Sequence, residues 1–260
     1  MTARRFLQVD GILSPVEVER YRRIYDELLD RTSAGGPGAK HRYDLGSTDD
    51  HLGGSAEEPG AATAAAPARE RITQLMWPSD QHDELRPDSS VLHRRLHTVA
   101  RVLVGEDAAF DFDMLIDKRS DAPTPAHQDQ SYWADLADKR AVSFWVALDD
   151  ARPETGCMWY RRGDPVTEPV RAHRKTLGGK GHALECDGTE SELVCAPLRA
   201  GSCVGHSGRT LHYSRGNAEG CPRRAYIVNF RPRAALEEMR RKGFDHGRGG
   251  AVENKINSTT

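Results

Sequence analysis

From Pro15 to Leu29, the apolar residues Val16, Val18, Tyr21, Ile24, Tyr25, Leu28 and Leu29 recur at steps of three and four among charges, which predicts an amphipathic helix. Ser14-Pro15-Val16-Glu17 supplies its start: a serine cap, a proline in the first turn and a glutamate three residues after the cap. A second stretch, SSVLHRRLHTVARVLVG, sets Val91, Leu92, Leu96, Val99, Leu103 and Val104 on a broad stripe that ends at Gly105. Beyond Gly105 the period falls to two. In FDFDMLID, Phe110, Phe112, Met114 and Ile116 alternate with Asp111, Asp113, Leu115 and Asp117. In AVSFWVALDD, Val142, Phe144, Val146 and Leu148 alternate with Ser143, Trp145 and Ala147, so both segments read as half-buried strands. GCMWY, ELVCAPL, SCVGH and RRAYIVNFRP are further strand candidates between Gly, Pro and Asp turn clusters. Helices first and strands after point to a mainly β fold with flanking helices, a sandwich or jelly-roll barrel carrying an N-terminal helical layer.

Between the two helices the composition changes. Residues 33–68 are rich in Gly, Ala, Pro and Ser, and such a segment buries too little apolar area to offset its ordering entropy. It is expected to be a mobile loop, either a passive insertion or an active-site lid. The residues from about Phe244 to Thr260 read as a polar, disordered tail. The 260 residues suit one domain: 1–105 as the helical layer, 106–235 as the jelly-roll core, and the tail.

Charge narrows the function classes. Lys plus Arg number 37 against 39 Asp plus Glu, with no basic block, which argues against nucleic acid or an anionic membrane as partner. The chain lacks an apolar run of signal-peptide or membrane-spanning length, so a cytoplasmic protein with a small-molecule substrate is expected. Its five cysteines, Cys157, Cys186, Cys195, Cys203 and Cys221, form no C-x-x-C pair and indicate neither a disulfide framework nor a zinc knuckle.

Among the 11 histidines, one sits at ligand spacing, in PAHQDQSYWA at 125–134. On a strand, residues i and i+2 share a face, so His127 and Asp129 can meet at one point while Gln128 turns away. A third donor has to come from another strand, and GHSGRTLHYSRGN offers His206 and His212. Two histidines and one carboxylate with open positions form the facial triad of non-haem Fe(II) oxygenases.

From Asp113 to Pro232 the chain resembles the phytanoyl-CoA dioxygenase-like family of Fe(II)/2-oxoglutarate oxygenases. The resemblance is carried by Lys118, HQD at 127–129, FWVALDD at 144–150, TGCMWY at 155–160, GSCVGHSGRTLHYSRGN at 201–217 and PRRAYIVNF at 222–230. It implies a double-stranded β-helix, a cupin-like jelly-roll barrel, with His127, Asp129 and His212 as iron ligands and His206 as runner-up for the third place. Arg223, eleven residues beyond His212, matches the arginine that pairs with the distal carboxylate of 2-oxoglutarate, and a guanidinium fork suits a carboxylate. Arg224, on the opposite face of that strand, reads as a solvated surface arginine. Ser214 matches a hydroxyl that assists the same carboxylate, and Trp145 falls beside the co-substrate or in the ordinary core. Lys118 reads better as a surface lysine than as a group attracting the co-substrate.

The implied activity is a dioxygenase using Fe(II), 2-oxoglutarate and O2, releasing succinate and carbon dioxide while oxidising an unactivated C–H bond. Related halogenases have a small residue where this chain has Asp129, so the carboxylate favours oxygen transfer; hydroxylation is the default outcome, with desaturation, ring closure or epimerisation left open. The chain departs from the family at Arg161-Arg162-Gly163-Asp164-Pro165, a loop that tends to border the substrate pocket. A small or medium polar metabolite, in specialised biosynthesis, is the expected substrate. Two rivals stay open: a cupin-type metalloenzyme that does not use 2-oxoglutarate, and a non-catalytic barrel that binds a small molecule. The first leaves Arg223 and Ser214 at their offsets by accident.

Overall fold

In the computed structural model, which describes residues 6–45, 71–163, 169–176 and 184–249, Ser14 caps helix α1 (Pro15–Ser33) in a full capping box with Glu17. Helix α2 (Val91–Val104) begins at the Ser90 cap, and the Arg95–Glu17 ion pair ties the two helices together.

Both helices lie against a seven-stranded, wholly antiparallel sheet. Its spatial order is β1 (Phe6–Val9), β11 (Cys203–Ser207), β6 (Val142–Ala147), β13 (Arg224–Pro232), β4 (Ala108–Lys118), β3 (Ile72–Met76) and β2 (Arg42–Asp44). A four-stranded sheet lies across its other face, in the order β10 (Leu193–Ala196), β7 (Met158–Arg161), β12 (His212–Ser214) and β5 (Thr124–His127). A short hairpin, β8 (His173–Lys175) with β9 (Leu184–Cys186), stands beside them. This is the jelly-roll barrel expected, with a helical layer on the large sheet.

The alternation of each central strand is divided between two buried environments. Phe144 and Val146 of β6 and Tyr226, Val228 and Phe230 of β13 pack with Leu28, Leu92 and Leu96 of the helices. Trp145, Ala225 and Ile227 point the other way, towards Met158 and Tyr160 of the small sheet. The expectation of half-buried strands is therefore corrected: every residue of β6 is buried, and so are Asp111, Asp113 and Asp117 of β4. The helices shield one face and the second sheet the other, so β6 meets no bulk solvent on either face and the aspartates of β4 are enclosed. Asp113 survives there by accepting hydrogen bonds from the hydroxyls of Tyr226 (2.6 Å) and Ser79 (2.9 Å). Leu96 is fully buried at the helix–sheet contact. Leu96→Ala is expected to lower unfolding free energy by about 2–5 kcal/mol, read by denaturant titration.

Three expectations change and one helix is added. The segment 1–105 is not purely helical, for it contributes β1, β2 and β3. Within the expected loop at 33–68, Ala39–His41 forms a 3-10 turn leading into β2; residues 46–68 lie outside the described residues. Helix α3 (Arg233–Arg241) follows β13 and buries Ala235, Leu236 and Met239. The expected tail is ordered over 244–249: the Trp77 indole donates to the His246 carbonyl (3.2 Å), and Arg248 pairs with Asp80 (2.6 Å). Residues 250–260 lie outside the described residues. All five cysteines are free, and no helix among the described residues is long and apolar enough to cross a membrane.

Candidate metal centre and anion pocket

His127 closes β5, and Asp129 opens the 3-10 turn Asp129–Tyr132 that follows. Gln128 between them is extended (φ −127°, ψ 124°), so the two-residue alternation carries past the end of the strand. The Gln128 side chain points the opposite way and is locked there, donating to the Arg209 carbonyl (2.7 Å) and accepting from the Arg171 amide (2.7 Å). Across the β5–β12 ladder His212 lies opposite His127, with ring centroids 4.2 Å apart.

The three side chains converge. His127 Nε2 lies 3.7 Å and His212 Nε2 3.5 Å from Asp129 Oδ1, and the three candidate ligand atoms fall within 4.8 Å of one another. Each ring sits 2.8–2.9 Å from a carbonyl through Nδ1, His127 with Pro125 and His212 with Thr210. Those contacts place the proton on Nδ1 and leave the Nε2 lone pairs facing Asp129. Enclosure lowers the pKa of His127 and takes that of His212 down to about 3, so both rings are neutral, as metal ligands must be. Burial opposes ionisation of Asp129, but His212 and His206 beside it outweigh that and hold its carboxyl far below the usual range. Two neutral imidazole nitrogens and one carboxylate oxygen suit a divalent first-row metal such as iron.

His206 belongs to the support, not to the donor set. Its Nε2 lies 3.2 Å from the other carboxylate oxygen, Asp129 Oδ2, which also accepts from the Ser143 hydroxyl (2.8 Å). Asn229 in turn donates to Ser143 Oγ (2.8 Å). One oxygen of Asp129 is thus fixed by the large sheet while the other faces the two histidines. Sequence reasoning missed Ser143 and Asn229; the signal available was a single polar residue on the cavity side of otherwise apolar strands. Ser143→Ala is expected to weaken Fe(II) binding about 10–100-fold while leaving the fold intact, measured by competition with a chelating dye.

The same cavity, about 220 Å³, reaches Arg223 and Trp145. Arg223 is buried; its Nε (3.0 Å) and Nη2 (2.6 Å) donate to the Gly156 carbonyl, and its guanidinium carbon lies 4.9 Å from the Trp145 ring centre. Gly156 has φ +78°, and a Cβ there would stand 2.7 Å from the Arg215 carbonyl, so the turn that seats Arg223 requires glycine. Ser214 Oγ accepts from Lys118 Nζ (2.7 Å) and lies 3.4 Å from Arg223 Nη2. Lys118 is fully buried, which overturns the surface-lysine expectation: β4 ends inside the barrel, not at its rim. Burial, with Arg223 nearby, depresses the Lys118 pKa well below that of a free lysine, and burial takes Arg223 to about 10. Among the described residues neither cation forms an ion pair with a carboxylate. Arg224 points away from the cavity, but it is not the solvated surface arginine expected: its side chain is 11% exposed and pairs with Asp149 and Asp26 (both 2.9 Å), held between β13 and helix α1.

Elsewhere the cavity wall is mainly aromatic and aliphatic, including Tyr43, Met76, Phe112, Trp133 and Phe244, which differs from the polar chamber that a polar metabolite leads one to expect. Arg161 of the variant loop pairs with Glu192 (3.6 Å), Arg162 is exposed, and Asp164 and Pro165 lie outside the described residues.

Comparison with known proteins agrees with this geometry. The family model for phytanoyl-CoA dioxygenase (PhyH) matches residues 6–225, taking in the helical layer as well as the motifs. Phytanoyl-CoA dioxygenase domain-containing protein 1 of Danio rerio is 30% identical over 109 residues, covering 40% of this chain and 38% of the relative; the Bos taurus protein matches over the same extent, also at 30%. The matched stretch thus spans well under half the length of these curated relatives. Among solved structures, EvdO2 from Micromonospora carbonacea var. aurantiaca, complexed with 2-oxoglutarate, is 29% identical, with a TM-score of 0.64 over 87% of this chain and 86% of that one. The epimerase SnoN, in complex with Fe3+, alpha ketoglutarate and nogalamycin RO, shares the fold at 21% identity, with a TM-score of 0.65 over 88% and 79% of the two chains. With the facial arrangement, the buried cation pair and a match over residues 6–225, the chain belongs to the phytanoyl-CoA dioxygenase (PhyH) family.

Proposed function

We propose that this protein is an Fe(II)- and 2-oxoglutarate-dependent dioxygenase that hydroxylates an unactivated C–H bond of a small or medium-sized metabolite. The observation that carries the reading is a His-Asp-His donor set and a buried Arg223 without a carboxylate partner, opening on one cavity, with Lys118 behind it across Ser214. His127, Asp129 and His212 would hold the metal; Arg223 and Ser214 would grip the distal carboxylate of 2-oxoglutarate. When bound, iron, 2-oxoglutarate and dioxygen together supply the oxidising power, yielding succinate and carbon dioxide and placing oxygen on the substrate carbon.

The chain's own part is geometry and electrostatics. The buried Arg223 guanidinium, with the Lys118 amine donating to Ser214 beside it, creates a positive well that favours a dianionic co-substrate over a neutral molecule of the same size. The Trp145 face and the Gly156 carbonyl fix the plane of the Arg223 fork, so the co-substrate is held in one orientation. The apolar remainder of the wall excludes water from the reacting carbon. A metalloenzyme of the same barrel that ignores 2-oxoglutarate has no use for the cation pair.

The reading is tested by incubating the protein aerobically with Fe(II) and 2-oxoglutarate and measuring succinate by mass spectrometry. Slow substrate-free succinate formation that vanishes in His212→Ala is the expected result. Iron bound with 2-oxoglutarate never consumed, across a broad panel of candidate substrates, would contradict it.

A further inference from the structure

At the far end of strand β13 from Arg223 sits a second buried polar group with no part in holding metal or co-substrate. Arg223 and Arg231 are eight residues apart along that strand, roughly 25 Å at about 3.3 Å per residue. Asn229, which supports the metal centre through Ser143, lies between them.

The group is built by a β-bulge. Val228 of β13 pairs with Asp113 and Phe230 with Phe110, so Asp111 and Phe112 together oppose the single residue Asn229. Phe110 stays on the helical side, against His93 (5.1 Å) and Phe230 (6.4 Å), while Phe112 lines the cavity. The bulge also delivers Asp111 to Arg231, whose Nε it binds, and to His246, whose Nε2 lies 3.2 Å from Asp111 Oδ1. Arg231 in turn lies 3.7 Å over the Trp133 ring, and Trp133 lines the cavity. His246 itself lines the cavity, held between the Phe112 ring (4.1 Å) and the Phe244 ring (4.8 Å). Its backbone is left-handed at φ +53°, a conformation that costs a side-chain-bearing residue energy and is kept here by the Trp77 bond to the His246 carbonyl.

Nε2 lies against the Asp111 carboxylate, which leaves Nδ1 as the ring nitrogen free to meet a ligand. Nδ1 makes no hydrogen bond among the described residues. An unpartnered ring nitrogen on a buried residue that lines an aromatic-walled chamber is what a binding site uses to orient an otherwise apolar ligand. We infer that His246, oriented by Asp111, is the positioning residue of the substrate chamber, and that the chamber takes a flat apolar ring system bearing a hydroxyl group. The hydroxyl donates to His246 Nδ1, and the rings lie among Phe112, Trp133 and Phe244. The assignment rests on the proposed oxygenase reading only in calling this ligand the substrate.

The test uses the full chain loaded with Fe(II) and 2-oxoglutarate without oxygen, titrated with 2-naphthol and with naphthalene and followed by naphthyl fluorescence. One gained hydrogen bond corresponds to 2-naphthol binding about tenfold more tightly than naphthalene. His246→Ala is expected to bring the two probes level. His246→Asn, which suits the left-handed backbone and sets an amide oxygen near the Nδ1 position, is expected to restore part of the preference. Phe244→Ala is expected to weaken both probes alike. Thermal melts check that each variant folds. The inference is overturned if the parent binds both probes equally or neither, or if a folded His246→Ala keeps the preference. The absorption of the iron–keto-acid complex is read in the same samples. Its absence beside an intact His246-dependent preference contradicts the oxygenase reading alone, and its presence with no preference contradicts the positioning role alone.

Discussion

Arg223→Ala is expected to raise the Kd for 2-oxoglutarate by about two orders of magnitude, because truncating one side of a buried, hydrogen-bonded charge pair costs several kcal/mol at about 1.4 kcal/mol per decade. The magnitude follows from enclosure. Arg223 is 2% exposed and its fork is aimed by the Gly156 carbonyl and the Trp145 face, so the arriving carboxylate loses little entropy and meets no competing water. Iron affinity should stay at the parent level, since Arg223 touches none of His127, Asp129 or His212. Arg223→Lys is expected to recover only part of the loss, for an ammonium lacks the planar pair of donors. Calorimetric titration of 2-oxoglutarate into the iron-loaded, oxygen-free variants checks this, and an unchanged Kd in Arg223→Ala would remove the co-substrate from this pocket.

The second large effect is at Asp129. Asp129→Asn keeps the volume and removes the charge, and its loss in Fe(II) affinity is expected to exceed the about 10–100-fold typical of a supporting residue. The supporting contacts explain why the fold should persist: the amide oxygen can still accept from Ser143 and His206 on the Oδ2 side. Equilibrium dialysis against Fe(II) reads the affinity and a thermal melt reads the fold. Retained affinity would show that the metal is held by some other set of donors.

The donor set was legible because it depends on short-range geometry. His127 and Asp129 need only an extended residue between them, and Gln128 provides it. His212 needed the family motif to separate it from His206, since both lie on strands facing the cavity; only the division of the Asp129 oxygens tells ligand from support. Arg223 and Arg224 were separable by strand alternation, and the Asp149 and Asp26 partners of Arg224 bear that out. Lys118 was misread because a lysine at a strand end looks solvated until the crossing strand β12 is laid over it. Strands β1 and β2, four and three residues long, are too short to show a period, and they exist because the sheet edge is there to pair with. The ordered segment around His246 escaped notice for a related reason. Its composition is polar, but His246 finds the Phe112 ring on β4, which the bulge turns towards the cavity, and Phe244 packs against His246 and the α3 cluster.

The most direct measurement is an anaerobic titration of the metal-stripped protein with Fe(II) and then 2-oxoglutarate, following the visible charge-transfer absorption of an iron-chelated keto acid. The band should appear in the parent protein, require far more 2-oxoglutarate in Arg223→Ala, and be missing in Asp129→Asn at iron concentrations that saturate the parent. Tight iron binding with no band at any 2-oxoglutarate concentration would contradict the account and leave a metalloenzyme of the same barrel that works without this co-substrate.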